Sequence, residues 1–269
     1  ILSNYLLEHE LSALLPEAAF LSEERADNRE RLHREWVFIV DPLDGTREFT
    51  EGIPEYSVSI GLAHRGKAIL GAIAVPEEDL LVCGGAATGL YTARLPVASS
   101  FLQKHAHLHE TVAGRPEQLQ KLLDHEHPAT FSEPVDLIRS PRPKIPLTLT
   151  EASIAVSRSE FRKGRFDLFT DLQLQPSGSV ARKLGLLAAG QYDLQWSVYP
   201  KNEWDICGGV ALLTGLPSYH AMDLHRGEDF VFNKLDTRSY GLLAGPASLV
   251  EELYALFRST GGKLYHMPG

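Results

Sequence analysis

The run Asp41-Pro42-Leu43-Asp44-Gly45-Thr46 holds the residue types of this chain that are best placed to do chemistry. Two carboxylates stand three residues apart, directly after a short apolar run, Trp36 to Val40 (WVFIV). A tight turn at the end of a buried strand can aim both acids into one small space. Two close carboxylates in a dry site repel unless one is protonated or a cation lies between them. Oxygen-only ligands select a hard divalent ion such as Mg2+. Gly45 permits the turn and a close ligand approach. Thr46 adds a hydroxyl and a backbone N–H suited to a phosphate oxygen or a water. The same residues can also form an Asx-type turn with solvated carboxylates. An EF-hand is set aside, because it needs D-x-D-x-D-G and a Glu in register, whereas Glu51 here follows an acid pair spaced by three.

Two further acidic sites lie far off in sequence. Glu23 and Glu24 follow Phe20-Leu21-Ser22, and Trp204-Asp205 opens an apolar stretch, Ile206 to Leu213. Alone, Asp205 reads as a helix N-cap and Glu23 as a solvated charge. Ser179 and Lys183 open a helical pattern that starts at Gly178, where they can meet a sugar or nucleotide phosphate. Lys183 reads equally as a surface helix charge. His105, His107 and His109 alternate as Zn2+ ligands on a strand would, but no fourth ligand accompanies them, and the stretch reads as a solvated loop.

The elements that must position these residues are legible in part. Residues 1–15 carry Leu6, Leu7, Leu11 and Leu14 at helical spacing. Trp36 to Val40 reads as a buried strand. Tyr56 to Ala63 and Ala68 to Val75 read as a hairpin about His64-Arg65-Gly66-Lys67, and Leu80 to Cys83 and Gly89 to Arg94 extend the meander. Residues 96–150 are rich in His, Pro and charge, with a helix predicted at Pro116 to Leu123 and a linker at Pro141 to Pro146. Beyond it, strand and helix alternate: Ser153 to Val156, helix Phe161 to Leu172, helix Gly178 to Gly190, strand Tyr192 to Ser197, helix Asp205 to Thr214. A last helix, Ser248 to Phe257, carries Leu249, Leu253 and Leu256 on one face. That order predicts an α/β fold, with an α+β part over 1–150 and an α/β part over 151–269.

The bulk properties exclude several roles. A length of 269 residues with 43% hydrophobic residues is enough to bury a full core. The formal net charge of −9 argues against a nucleic-acid polymer and against an anionic membrane surface. An acidic protein that takes an anionic substrate needs a local remedy, and bound divalent cations are one. Cys83 and Cys207 are far apart in apolar surroundings and read as core thiols in a reducing cytoplasm. No apolar run is long enough to insert in a bilayer. The chain starts in mid-helix without Met, so residues upstream of Ile1 are expected.

Together, F-L-S-E-E (20–24), W-V-F-I-V-D-P-L-D-G-T-R-E-F (36–49) and N-E-W-D-I-C-G-G (202–209) resemble the inositol monophosphatase superfamily of lithium-sensitive, Mg2+-dependent phosphatases. The resemblance runs from about residue 5 to the final helix. It implies a layered α/β/α/β/α sandwich with two or three Mg2+ ions between the two parts. It implies Glu23, Asp41, the carbonyl of Leu43, Asp44 and Asp205 as metal ligands. It gives Glu23, Asp44 and Thr46 catalytic roles, Thr46 by orienting the attacking water. Gly45 and Thr46 then offer N–H groups to the phosphate, and Asp205 also borders the substrate. Members usually carry an upstream helix and loop with a threonine and an aspartate that help to activate water, and nothing here matches that loop. A homodimer is the assembly the resemblance implies.

The substrate is a small phosphorylated metabolite on this reading. Arg47-Glu48-Phe49, Pro200-Lys201-Asn202-Glu203 and Ser157-Arg158-Ser159 look like the 3′(2′),5′-bisphosphate nucleotidase branch. Gln195-Trp196-Ser197 lacks a basic residue expected there to hold a nucleotide, which keeps inositol 1-phosphate or another sugar-alcohol phosphate as the alternative. A non-catalytic phosphometabolite binder is the second alternative.

Overall fold

The apolar run that precedes the acidic turn continues through it. The computed structural model describes residues 2–95, 136–141 and 143–260. Its first sheet is built from Ala19–Ser22 (β1), Trp36–Asp44 (β2), Ser57–His64 (β3), Lys67–Val75 (β4), Leu80–Gly85 (β5), Gly89–Arg94 (β6) and Ile138–Arg139 (β7). These seven strands lie side by side in sequence order. β1 runs parallel to β2, and every later neighbour is antiparallel. Arg65 and Gly66, both at positive φ, form the two-residue turn between β3 and β4.

The second sheet holds Ser153–Ser157 (β8), Gln173–Ser177 (β9), Leu194–Asn202 (β10), Tyr219–Asp223 (β11), Glu228–Asp229 (β12) and Arg238–Pro246 (β13). Its order is β12-β11-β13-β10-β8-β9. The helices among the described residues are Leu2–Leu14 (α1), Thr46–Thr50 (α2), Arg158–Arg162 (α3), Val180–Ala188 (α4), Glu203–Leu213 (α5) and Ala247–Ser259 (α6).

Five layers follow from which faces are apolar. Leu7, Leu11 and Leu15 pack on Phe38, Val40 and Leu62, so α1 covers the outer face of the first sheet. The other face packs Ile39 and Ile73 against Leu184 and Leu187 of α4 and Leu212 of α5. The same cluster continues to Leu242 and Ala244 of the second sheet. Beyond it, α6 covers the far face with Leu249, Val250, Leu253 and Phe257 against Trp196 and Leu243. The order is α/β/α/β/α, and its central cluster joins residues from both halves of the sequence.

Helix α5 is apolar nearly all round, as a helix buried between two sheets must be. Its small residues let it approach the first sheet at backbone distance. A Cβ on Gly71 would lie 2.1 Å from the Gly208 carbonyl oxygen, and a Cβ on Gly208 would lie 2.8 Å from Ser59 Oγ. A Cβ on Gly209 would meet Leu184 of α4 at 2.3 Å. The run Ile206-Cys207-Gly208-Gly209 is thus a packing device, and Cys207 is fully buried within it.

Several sequence expectations are corrected. The helix predicted over Phe161 to Leu172 is only the short α3, followed by turns. Gly164 takes φ +68, which ends the helix, and Phe166 and Phe169 turn inward edge-on to Trp196, with centroids 4.8 and 4.7 Å away. Leu256 of the last helix is 37% exposed, so the buried stripe is Leu249, Val250, Leu253 and Phe257. Strands β1, β7, β9, β11, β12 and β13 carry no sequence expectation. The His105–His109 stretch and the helix predicted at Pro116 to Leu123 lie outside the described residues.

Candidate metal centre

The two acids of the turn share a face because β2 is irregular between them. Asp41 pairs with Ser59 and Asp44 with Ser57, so three steps on β2 match two on β3. In a regular strand, residues three apart point to opposite faces. The extra residue is a β-bulge, and it brings Asp44 round to the side of Asp41. Pro42 sits inside the bulge, where a missing N–H costs no ladder bond. The face they share points at the central helix layer. Ser57 Oγ lies 3.0 Å from Ser179 Oγ, just ahead of α4.

Asp205 arrives from the other direction, on the first turn of α5. It meets Asp41 and Asp44 there: one carboxylate oxygen from each of the three acids lies within 4.8 Å of the other two. Each acid is pinned by backbone donors. Leu43 N–H donates to Asp41 Oδ1 at 2.9 Å, and Asn202 N–H donates to Asp205 Oδ2 at 2.8 Å. Ala181 N–H and Ser179 Oγ donate to Asp44 Oδ2 at 2.6 and 2.7 Å. In each case the other oxygen carries none of these bonds. The N-termini of α4 and α5 both face the cluster, and their dipoles favour negative charge.

Glu23 follows β1, whose Ser22 pairs with Val40 beside Asp41. Burial raises its carboxyl pKa, the charges of Asp44 and Glu24 add to that, and a hydrogen bond with Asp41 partly opposes it. Asp41, only 1% exposed, is pushed up to about 9 by burial and then by the Asp44 and Glu23 charges. Asp205 is pushed up to about 7 by burial, with Asp44 adding. Acids this crowded are held at a cost that a divalent cation removes, and an all-oxygen donor set fits such an ion.

Gly45 and Thr46 lie at the rim. Gly45 has φ +90, and a Cβ there would sit 2.7 Å from the Glu55 carbonyl oxygen. Thr46 is exposed and donates through Oγ1 to the Leu43 carbonyl at 3.0 Å. That places Thr46 beside the carbonyl expected to serve as a ligand. The first N–H groups of α2 have no intrahelical partner.

Ser179 and Lys183 are placed differently from the sequence expectation. Ser179 is 6% exposed, and its Oγ both donates to Asp44 and accepts from Arg182 N–H at 2.9 Å. Lys183 is no surface charge: it is 1% exposed and donates to the carbonyls of Ser177, Gly178 and Ser179 at 3.1, 2.9 and 2.7 Å. Burial lowers its pKa to about 8.

One buried acid escaped the sequence reading. Glu160 is fully buried and accepts from Ser197 Oγ, Val198 N–H, Tyr199 N–H and Lys201 Nζ. Those donors straddle a register shift of β10 between Ser197 and Pro200. Nothing local marks it, because it stands in a charged run, Arg158-Ser159-Glu160-Phe161-Arg162-Lys163, that reads as solvated. Glu55 joins the two sheets by pairing with Arg158 and accepting Gly178 N–H at 2.6 Å.

Fold and site together bring an acidic, oxygen-only donor set to the meeting of two central helices and a bulged strand, where a divalent ion fits. The chain belongs to the inositol monophosphatase family, whose pattern it matches over residues 2–259. An inositol-1-monophosphatase of Mesorhizobium japonicum is 28% identical over 83% of this chain and 70% of its own length. A 3′(2′),5′-bisphosphate nucleotidase CysQ of Buchnera aphidicola is 40% identical, but the match covers only 29% of this chain and 30% of that relative. A 3′-phosphoadenosine 5′-phosphate phosphatase of Mycobacterium leprae is 51% identical over 24% of each chain. Among solved structures, an inositol monophosphatase of Thermotoga maritima superimposes with TM-score 0.68 at 16% identity, covering 97% of this chain and 82% of that one. An inositol monophosphatase II solved with 2′AMP gives 0.66 at 18% identity, covering 94% and 80%; the same enzyme has been solved with inositol monophosphate. Among the described residues, no helix is long and apolar enough to cross a membrane.

Proposed function

We propose that this chain is a Mg2+-dependent phosphomonoesterase acting on a small phosphorylated metabolite. One observation carries the reading: Asp41, Asp44 and Asp205 converge within 4.8 Å, with Glu23 electrically joined to them. Such repulsion serves no purpose in a plain anion binder, since it repels the ligand unless cations intervene.

Glu23, Asp41, the Leu43 carbonyl, Asp44 and Asp205 would hold two or three Mg2+ ions. Bound there, the ions would offset phosphate charge, acidify a water and stabilise the leaving oxygen. The chain supplies the rest. The N–H groups of Gly45 and Thr46 meet phosphate oxygens at the start of α2, and the Thr46 hydroxyl orients the water. Glu23, a ligand in this reading, would also help to take a proton from that water.

For the substrate we favour a 3′(2′),5′-bisphosphate nucleotide. Arg47-Glu48-Phe49, Ser157-Arg158-Ser159 and Pro200-Lys201-Asn202-Glu203 support that branch, as do the local matches to nucleotidases. Gln195, Trp196 and Ser197 are fully buried, so the missing basic residue there does not count against a nucleotide. Inositol 1-phosphate is the second reading, favoured by the match that extends over 83% of the chain.

The test is phosphate release from 3′-phosphoadenosine 5′-phosphate and from inositol 1-phosphate, side by side, with Mg2+ and with EDTA. A Mg2+-dependent preference for the nucleotide supports the first reading, and the reverse preference selects the second. Release from neither, in protein that binds Mg2+, favours a non-catalytic binder, and Asp44→Asn then keeps ligand binding where an enzyme loses turnover. Inhibition by lithium, a homodimer in sedimentation and a cytoplasmic location complete the proposal.

A further inference from the structure

We propose that Lys183 is a positioning residue for the metal centre: its buried ammonium clamps the Ser177–Ser179 backbone so that Ser179 and Ala181 hold Asp44 in its metal-binding pose. The inference rests on the reading of Asp44 as a metal ligand.

Lys183 Nζ is spent on three consecutive carbonyls, those of Ser177, Gly178 and Ser179. An ammonium has three donors, so none is left for a substrate. With those carbonyls drawn inward, the donors of the same segment face the acids. Gly178 N–H reaches Glu55, Ser179 Oγ reaches Asp44, and Ala181 N–H reaches the same Asp44 oxygen. Ser179 itself sits at φ +45 with ψ 120, a positive-φ backbone conformation costly for a residue with a Cβ. Something must hold it there, and the ammonium on its own carbonyl and on the two before it does so. The clamp is cationic and buried beneath an acidic site, where its charge also offsets that of Asp44.

The clamp accounts for a lysine deep in α4 that touches no rim of the site. A substrate contact would require an exposed amine, and a surface charge would not be 1% exposed. The functional consequence falls on the metal. With one oxygen held by Ser179 and Ala181, Asp44 offers the other in a fixed direction; freed from them, it pays a rotational cost at each binding event.

The experiment measures Mg2+ affinity by calorimetry on metal-free protein, and kcat and KM at saturating Mg2+, for wild type, Lys183→Met, Ser179→Ala and the double variant. Partners that orient a metal ligand are worth about 10–100-fold in metal affinity. Lys183→Met is expected to weaken Mg2+ by about that factor, with KM for the phosphoester near wild type once Mg2+ saturates. Ser179→Ala is expected to weaken it comparably, and the double variant no further, because both act through the same contact. Folded Lys183→Met with unchanged Mg2+ affinity, or with a raised KM at saturating Mg2+, overturns the proposal. Additive effects in the double variant overturn it too. If Lys183→Met does not fold, Lys183→Gln, which keeps part of the donor set, is judged by the same criteria. Asp44→Asn is the control: if it leaves Mg2+ affinity intact, the reading of the metal centre fails, independently of Lys183.

Discussion

Asp41 and Asp44 stand on one face of β2 although they are three positions apart, because Asp41 pairs with Ser59 and Asp44 with Ser57 across a bulge. The bulge converts a strand end into a two-pronged acid clamp, and the N-terminus of α5 brings Asp205 up to it. The repulsion gathered at this point is what the proposed cation would relieve, and its size can be measured.

Asp41→Asn replaces a carboxyl that the metal-free folded chain must keep protonated, against its ordinary tendency to ionise. In the presence of EDTA the variant should be more stable than wild type, because a 1%-exposed carboxylate pushed up to about 9 is costly to ionise at neutral pH. Each kcal/mol gained raises Tm by about 2–4 °C in a chain of this size. Activity with Mg2+ should fall on the order of a hundredfold or more, since even outer partners of a metal site are worth about 10–100-fold. Thermal melts in EDTA and in Mg2+, paired with turnover, check both halves. A variant less stable than wild type in EDTA contradicts the account.

The metal-free protein should lose stability as pH rises. Asp41 is raised to about 9 and Asp205 to about 7 in the folded chain, so native protein binds more protons than unfolded protein above the ordinary carboxylate range. Stability then falls with increasing pH, from near 4 through about 9. Lys183, lowered to about 8, works the other way and only above that pH, where its unfolded form keeps its proton longer. Mg2+ competes with the protons and should flatten the slope. Urea midpoints at acid, neutral and mildly alkaline pH, with EDTA and with Mg2+, give the answer. A midpoint in EDTA that climbs between pH 5 and 7 would falsify the charge assignment.

The legible parts of this site were those where local chemistry and local shape coincide. WVFIV reads as a strand because its signal is complete within a few residues, whereas DPLDGT reads as a turn and is instead strand as far as Asp44, turning only at Gly45. The bulge was not legible, since side-chain alternation alone would send Asp44 to the opposite face from Asp41. Glu23 depended on β1, four residues long and too short for periodicity. The apolar residues of 161–172 mimic helical spacing, yet Gly164 turns the chain and sends Phe166 inward while Leu168 stays 65% exposed. Lys183 shows the same limit: nothing local distinguishes a buried clamp from a surface lysine, because its partners are backbone carbonyls that any residue supplies.

Gly71→Ala tests how closely α5 must lie to the first sheet. The added Cβ would fall 2.1 Å from the Gly208 carbonyl oxygen, a backbone atom that cannot rotate away. Overpacking of this kind costs about 1–3 kcal/mol. Because Asp205 rides on the same helix, pushing α5 outward should also weaken Mg2+ binding. Denaturation midpoints and Mg2+ titration are the measurements. An alanine variant with wild-type stability and affinity would mean that the helix has slack, and that the glycines do not set the position of Asp205.

Glu160→Ala probes the second sheet's route to the same acid. Its carboxylate serves the N–H groups of Val198 and Tyr199 at the irregular part of β10, and it pairs with Lys201 at 3.1 Å. Removing it leaves two backbone donors and a nearly buried ammonium without that partner. Breaking a buried pair from one side costs about 3–5 kcal/mol. Asn202, next in the chain, is the residue whose N–H holds Asp205, so the damage should reach the metal centre as well. The expected result is a Tm lower by roughly 6–20 °C, at about 2–4 °C per kcal/mol, with weakened Mg2+ affinity in whatever protein remains folded. Replacing Lys201 in the same background, as Glu160→Ala/Lys201→Met, should recover part of the lost stability, because the orphaned charge goes with it. Failure of the double variant to recover any would show that the cost lies in the β10 N–H groups alone.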